Sequence, residues 1–340
     1  MFKLRGGTVA AFLSACGLLN LLEQIKIGNA PLFILAYHTI QDIVPSEYPF
    51  DETMVSASCE GFDRQMRFVK EHFDVITFTH LKDFQDGKRP LPKRPIIITF
   101  DDGFSDNYLN AFPILNKYQI PATIFLSTGY IGTDQIFWWE KVVYWFKHAD
   151  NFFKVWQGLG HPLPQAQDQT RSWTLKYLKD AQDTVRVSCI AGMEKEFPPI
   201  QGENLLSFVR GLRWEEVLEM TRSGIEFGSH SVTHPILSKL SKHALLFEVQ
   251  ASKKEIEAQT GKPVIAFAYP NGSPESFTQE TVDMLREADY QFGVTYYPSG
   301  VNRIENMDPY RLKRVSVGRN DSFDHFRSRL LLPMLFLRKG

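Results

Sequence analysis

Short apolar runs that end abruptly in polar residues constrain this chain more than any other feature. Pro95-Ile-Ile-Ile-Thr-Phe carries no charge and then delivers Asp101, Asp102 and Gly103. A run of this length without polar alternation reads as a strand buried on both faces, as in a parallel sheet covered by helices. Comparable runs lie at 31–36, ending in Tyr37 and His38, and at 73–78, 122–127, 225–229, 263–269, 292–296 and 311–317. Most are separated by helical spacings: Phe62, Met66 and Val69; residues 107–118; 214–222, stopped by Gly224; 241–261, opened by Ser241 as N-cap; and 278–288. This alternation predicts an α/β fold with a parallel sheet.

The 340 residues suffice for a β/α barrel with insertions or for two ordinary domains. A net charge of -1 gives no electrostatic reason to expect a nucleic acid partner. Cys16, Cys59 and Cys189 are too few and too scattered for a disulfide framework, and none forms a Cys-x-x-Cys pair.

Residues 1–30 hold Lys3 and Arg5 before an apolar segment running from Thr8 to Leu22 and on to Ile25. The segment is short for a membrane span. Its spacing predicts an amphipathic helix that covers part of the fold or touches a membrane surface through residues 8–25, giving a cytoplasmic or membrane-peripheral protein. A cleaved secretory signal remains an alternative, since Leu13-Ser14-Ala15-Cys16 has the shape of a lipoprotein cleavage box; an anchor is the third reading. Alternation vanishes over 133–213, which carries Trp138, Trp139, Trp145, Trp156 and Trp173 and a Gln-rich middle at 162–169. This is expected to be a helical insertion whose tryptophans pack it onto the sheet or offer a stacking platform for sugar rings. The apolar tail, 331–340, is broken by Pro333 and is expected to be buried.

The chemistry lies at strand ends, where β/α barrels carry their catalytic groups. Asp-Asp-Gly alone also reads as a turn. His230 and His234, just past the 225–229 strand, change that balance. If their turn begins helically, the two imidazoles share one face at metal-ligand distance. Ser231 stands where a zincin His-Glu-x-x-His motif has its Glu, so a general base must come from Asp101-Asp102. Two His and one carboxylate make a catalytic metal set, and the second carboxylate is free to take a proton from water.

Thr99-Phe-Asp-Asp-Gly103 followed by Ser229-His-Ser-Val-Thr-His-Pro235 resembles the polysaccharide deacetylase family, the carbohydrate esterase group with the NodB homology domain. The resemblance spans 31–132 and 214–330. It implies a distorted (β/α)7 barrel, Asp101 as general base, and Asp102, His230 and His234 as ligands to zinc, or to cobalt or nickel. It implies hydrolysis of N-acetyl groups on an acetylated glycan. Phe267-Ala-Tyr-Pro-Asn-Gly272 is similar to the exopolysaccharide-associated branch, and Tyr269, Pro270 and Gly272 are expected at the substrate, with the Tyr269 N–H facing the oxyanion by family analogy.

The chain departs from the family at its late His: no His lies between His243 and His325, and Arg314 stands on the last strand. His38 is therefore the expected general acid, against the plainer reading of a buried His tied to the backbone. Arg314 is expected to hold Asp101 ionised. O-deacetylation on the same scaffold remains open, because an ester has a better leaving group, as does a glycan-binding protein with an inactive site. A haloacid dehalogenase phosphatase is disfavoured, since it needs its two Asp separated by one residue.

Overall fold

The computed structural model describes residues 6–24, 31–163, 170–296 and 300–336. Among the described residues ten strands follow in order: β1 Phe33–Tyr37, β2 Thr39–Ile40, β3 Val55–Ala57, β4 Asp74–Val75, β5 Pro95–Phe100, β6 Thr123–Leu126, β7 Glu226–Ser229, β8 Ala266–Ala268, β9 Phe292–Val294 and β10 Val315–Ser316. Seven of them curl into a parallel sheet in the order β10-β1-β5-β6-β7-β8-β9, with β4 on the edge of β5 and β2–β3 forming a separate pair. A single bridge from Val294 to Leu312 joins the two ends of this path. The result is a distorted (β/α)7 barrel with a weak seam between β9 and β10. Uninterrupted burial along β1, β5 and β6 explains their unbroken apolar sequences, because both strand faces are covered.

Side-chain parity carries the barrel interior straight to the chemistry. Ile34, Ile97, Phe125, Ala266, Ala268 and Val294 form one buried cluster. Two residues further along the same faces stand His38, Asp101 and His230, counted from Ala36, Thr99 and Gly228. Register aligns the strand ends: Tyr37 pairs with Phe100, and Leu126 with Ser229. Gly228 is required inside, since a Cβ there would meet the Phe125 ring at 2.5 Å.

Two expected strands are shorter than their apolar runs. The 73–78 run yields only β4, because the Thr77 side chain caps a helix, Phe78–Gln85, by accepting from His80 N–H. Of 311–317 only β10 pairs as a strand; Lys313 N–H and C=O are taken instead by the Asn302 side chain. Residues 107–118 divide into a wide π turn, Asn107–Ala111, and an α-helix, Phe112–Tyr118, in which Pro113 has no N–H to contribute.

Residues 133–213 contain the helices Trp138–His148, Phe152–Gly158, Thr170–Asp180, Asp183–Glu196 and Glu203–Leu206. Trp145, Trp156, Met193 and Phe197 are buried in a core that these helices share with Tyr48, Phe50, Val55 and Phe104. The segment leaves after β6 and is tied back at its base, where Gly132 N–H donates to Leu212 O at 2.8 Å and Leu212 N–H to Gly103 O at 2.9 Å. The Gln-rich residues 164–169 lie outside the described residues.

The N-terminal segment is two helices rather than one, Gly6–Ala15 and Leu18–Gln24, divided at Gly17 with φ of 75°. Arg327, on the helix Phe323–Leu331, donates to Ser14 Oγ, Asn20 Oδ1 and Glu23 Oε1 at 2.8–2.9 Å, which binds both helices to the C-terminal one. Phe12 and Leu21 face outward. Among the described residues no helix is long and apolar enough to cross a membrane. Lys3, Arg5, Ile25 and the tail from Leu337 lie outside the described residues.

Candidate active site

Asp101 follows β5 directly, and its N–H continues the ladder to Tyr37 O at 2.9 Å. Arg314, fully buried, grips both carboxylate oxygens at 2.7 Å. The guanidinium is itself aimed by Thr295 O, 2.9 Å from Nε, and by Thr99 Oγ1 at 3.3 Å. Burial alone would raise the Asp101 pKa, but the Arg314 charge prevails and takes it down to about 2. Asp101 is therefore ionised at any ordinary pH. His38 Nε2 stands 4.0 Å from Asp101 Oδ2, its ring edge-on to Tyr296. Burial lowers the His38 pKa to about 4 although Asp101 opposes the change, so the imidazole is neutral at rest. Its backbone N–H donates to Ser56 Oγ and its C=O accepts from Asn107 Nδ2.

Asp102 Oδ1 lies 3.5 Å from His230 Nε2 and 3.4 Å from His234 Nε2. One ligand atom from each of the three residues falls within 4.8 Å of the others. The helical turn expected for the two histidines is absent: residues 230–236 form no helix. The imidazoles converge because Ser231 and His234 adopt left-handed backbone, φ 67° and 54°, as does Asp102 at 73°. Each such residue costs roughly 1–2 kcal/mol, a strain characteristic of functional sites. Glu248 sustains the turn by accepting from Val232 N–H, Thr233 N–H and Thr233 Oγ1.

A divalent cation fits this triad. Both oxygens of Asp102 are buried without a hydrogen-bond partner, and burial beside Asp101 raises the carboxyl well above its usual range. His230 Nδ1 lies 2.7 Å from Ala268 O, which assigns the proton to Nδ1 and turns the Nε2 lone pair towards Asp102. Burial lowers the pKa of both histidines, keeping them in the neutral form that ligates metal.

These groups open into a cavity of about 240 Å³, lined in addition by Asp51, Trp138, Trp139, Lys179, Tyr269, Asn271 and Tyr296. Tyr269 N–H, the expected oxyanion donor, donates to Val294 O at 3.1 Å, continuing the β8–β9 ladder. Tyr269 reaches the cavity as a wall. Pro270 and Gly272 do not line it; Gly272, at φ 60°, permits the turn to pass Tyr296, whose N–H its carbonyl accepts at 3.0 Å. A Cβ on Gly272 would lie 2.2 Å from Tyr296 N. Trp139 packs against the His234 ring, centroids 4.4 Å apart, so one insertion tryptophan braces the triad. Asp51 and Lys179 carry no motif that sequence reasoning could have used, because only the fold brings the β2–β3 loop and the insertion to the same cavity.

The sequence profile of the Polysaccharide deacetylase family matches residues 88–293, more than half of the chain. YxkH of Bacillus subtilis (strain 168), a provisionally named polysaccharide deacetylase, is 22% identical over 294 residues, 86% of this chain and 74% of that protein. A poly-beta-1,6-N-acetyl-D-glucosamine N-deacetylase of Staphylococcus aureus (strain MSSA476) is 42% identical over 81 residues, which cover 23% of this chain and only 27% of that protein. Among solved structures, the Streptococcus pyogenes deacetylase PplD in complex with acetate shares the fold, with TM-score 0.58 and 20% identity over 92% of this chain and 100% of that one. The strand-end carboxylates and paired histidines thus sit within a matching profile and a matching barrel, and the chain belongs to the polysaccharide deacetylase family.

Proposed function

We propose that this protein hydrolyses the N-acetyl groups of hexosamine residues in a polysaccharide or exopolysaccharide precursor. The observation that carries this reading is the juxtaposition of a buried, unsatisfied Asp102 with two Nε2 atoms, one residue from an Asp101 held ionised by Arg314. Asp102, His230 and His234 would hold a divalent cation, zinc or a similar transition metal. Bound there, the cation supplies Lewis acidity, polarising an acetyl carbonyl and making water easier to deprotonate.

The chain's own residues account for the remainder. Asp101 accepts the proton of the attacking water, with Arg314 fixing its two oxygens so that its orientation is set before substrate arrives. Among the described residues His38 is the imidazole beside Asp101, at 4.0 Å, and is assigned to return a proton to the departing amine. Tyr269, Tyr296 and Trp139 give the cavity aromatic walls.

The test is acetate release from a panel of acetylated glycans, including poly-N-acetylglucosamine and O-acetylated polymers, with and without chelator. Chelator-sensitive release from N-acetylated members is expected. Release confined to O-acetyl substrates would replace the amide reading with an esterase, and binding without release would leave a glycan-binding protein.

A further inference from the structure

The cavity holds a second pair of charged groups that the hydrolysis does not use. Asp51 comes from the loop between β2 and β3, and Lys179 from the insertion helix Thr170–Asp180. Asp51 is 7% exposed and firmly placed: its N–H donates to Glu140 Oε2 at 2.8 Å, and its Oδ1 accepts from Thr53 N–H at 3.1 Å and Thr53 Oγ1 at 2.7 Å. Its Oδ2 takes no part in those bonds. Lys179 is half-buried, and burial lowers its pKa even though Asp51, and after it Asp102, oppose that shift. Yet among the described residues its ammonium has no carboxylate within 4.0 Å.

An ammonium facing a cavity and partly shielded from water gains when a ligand completes its hydrogen bonds. Asp51 and Lys179 thus line the same cavity without forming a direct ion pair with each other. Whatever occupies it must accept from an ammonium and donate to a carboxylate. A hydroxyl does both, and a pyranose ring presents several hydroxyls at once. A phosphate or carboxylate substituent would satisfy Lys179 but be repelled by Asp51. Trp138 also lines the cavity, its ring backed by the Arg186 guanidinium at 5.2 Å, and offers an apolar surface to the C–H face of a sugar. Leu175, one turn before Lys179 on the same helix, faces the same cavity.

We propose that Asp51 and Lys179 form a hydroxyl-recognition pair that seats an uncharged sugar ring and presents its acetyl group to Asp101 and Asp102, so that the 133–213 insertion sets which glycan is accepted. This rests on the deacetylase reading above and names a determinant of its substrate specificity.

The decisive variant is Lys179→Met, which keeps the length of the side chain and leaves the Asp51 bonds untouched; Asp51→Asn is its complement. Both are made in the full-length, zinc-loaded protein and assayed on an N-acetylglucosamine oligomer and on 4-nitrophenyl acetate, an acetyl donor without a sugar ring. Expected is a rise in KM for the oligomer of about tenfold to a hundredfold, the range of a lost hydrogen bond to a charged group. That loss should exceed the loss on 4-nitrophenyl acetate by at least about tenfold, with zinc content retained. An unchanged KM for the oligomer, or equal losses on both substrates, overturns the pair. If the wild-type protein releases acetate from no glycan, the deacetylase reading fails separately. The pair is then judged by titrating the oligomer against tryptophan fluorescence: weaker binding by Lys179→Met supports it, whereas equal affinity, or no wild-type binding, rejects it.

Discussion

Arg314 holds both carboxylate oxygens of Asp101 at 2.7 Å from a position with no solvent exposure of its own. Removing one member leaves the other as an uncompensated buried charge, which costs about 3–5 kcal/mol. Arg314→Met is therefore expected to lower the denaturant midpoint by that equivalent and to abolish turnover. Arg314→Lys should keep more of the stability but lose the two-pronged grip, since an ammonium cannot match both oxygens. Equal stability of Arg314→Met and wild type in urea unfolding would contradict this account.

His234 is one of three residues whose ligand atoms converge, and its imidazole is braced by Trp139 at 4.4 Å. His234→Ala and Asp102→Asn are each expected to reduce bound metal from about one ion per chain to a small fraction, measured by elemental analysis of dialysed protein. Circular dichroism should show the barrel intact. Retention of one tightly bound ion by both variants would place the metal elsewhere.

His38 is 4.0 Å from Asp101 and contributes no ligand atom to the triad. His38→Gln should lower kcat by roughly 10²–10⁴ while metal content and KM change little. Turnover equal to wild type would remove His38 from the proton path.

Asp106 caps Ile40 N–H through Oδ2, while its Oδ1 is buried without a partner. Burial raises its pKa from 3.8 to about 7. The folded state therefore binds this proton more tightly than the unfolded chain. Its stabilising effect is complete below pH 3.8 and is lost as pH rises through about 7. A shift of that size corresponds to up to about 4 kcal/mol. Asp106→Asn keeps an acceptor for Ile40 and should flatten the decline in unfolding free energy between pH 4 and 8. An identical pH profile in both proteins would show that Asp106 is not the group responsible.

Gly228 faces the Phe125 ring at the barrel interior, and a methyl group there would lie 2.5 Å from two ring carbons and 2.9 Å from Ala266 O. Gly228→Ala is expected to destabilise by at least about 1–3 kcal/mol, because neither the ring nor the strand can retreat in a filled barrel. Thermal unfolding reads this directly, and a melting temperature equal to wild type would contradict tight packing around Gly228.

Much of the architecture was legible in the chain because burial on both faces of a strand leaves a local signature. Ile96-Ile97-Ile98 could only be read as a covered strand, and β5 occupies that run. Where a strand is short, the signature misleads: Ile76, Thr77 and Phe78 look like strand residues, but a side-chain cap from Thr77 turns them into the start of a helix. Asp101, Asp102, His230 and His234 were recognisable as a set by residue type and strand-end position. Their geometry was not, since left-handed backbone at Ser231 and His234, rather than a helical turn, aims the imidazoles.

Local patterning thus specified the strands, the capped helices and the identity of the chemical groups, because each of these depends on neighbours a few residues away. Convergence belonged to the fold. Arg314 meets Asp101 only because the parallel order β10-β1-β5 sets residues 213 apart on strands separated by a single strand. The same closure spends the Tyr269 N–H on Val294 and delivers Asp51 and Lys179 to one cavity. A backbone donor has a single proton to give and a side chain a reach of a few ångströms, so partners of this kind are chosen by position in space and leave no trace in local order along the chain.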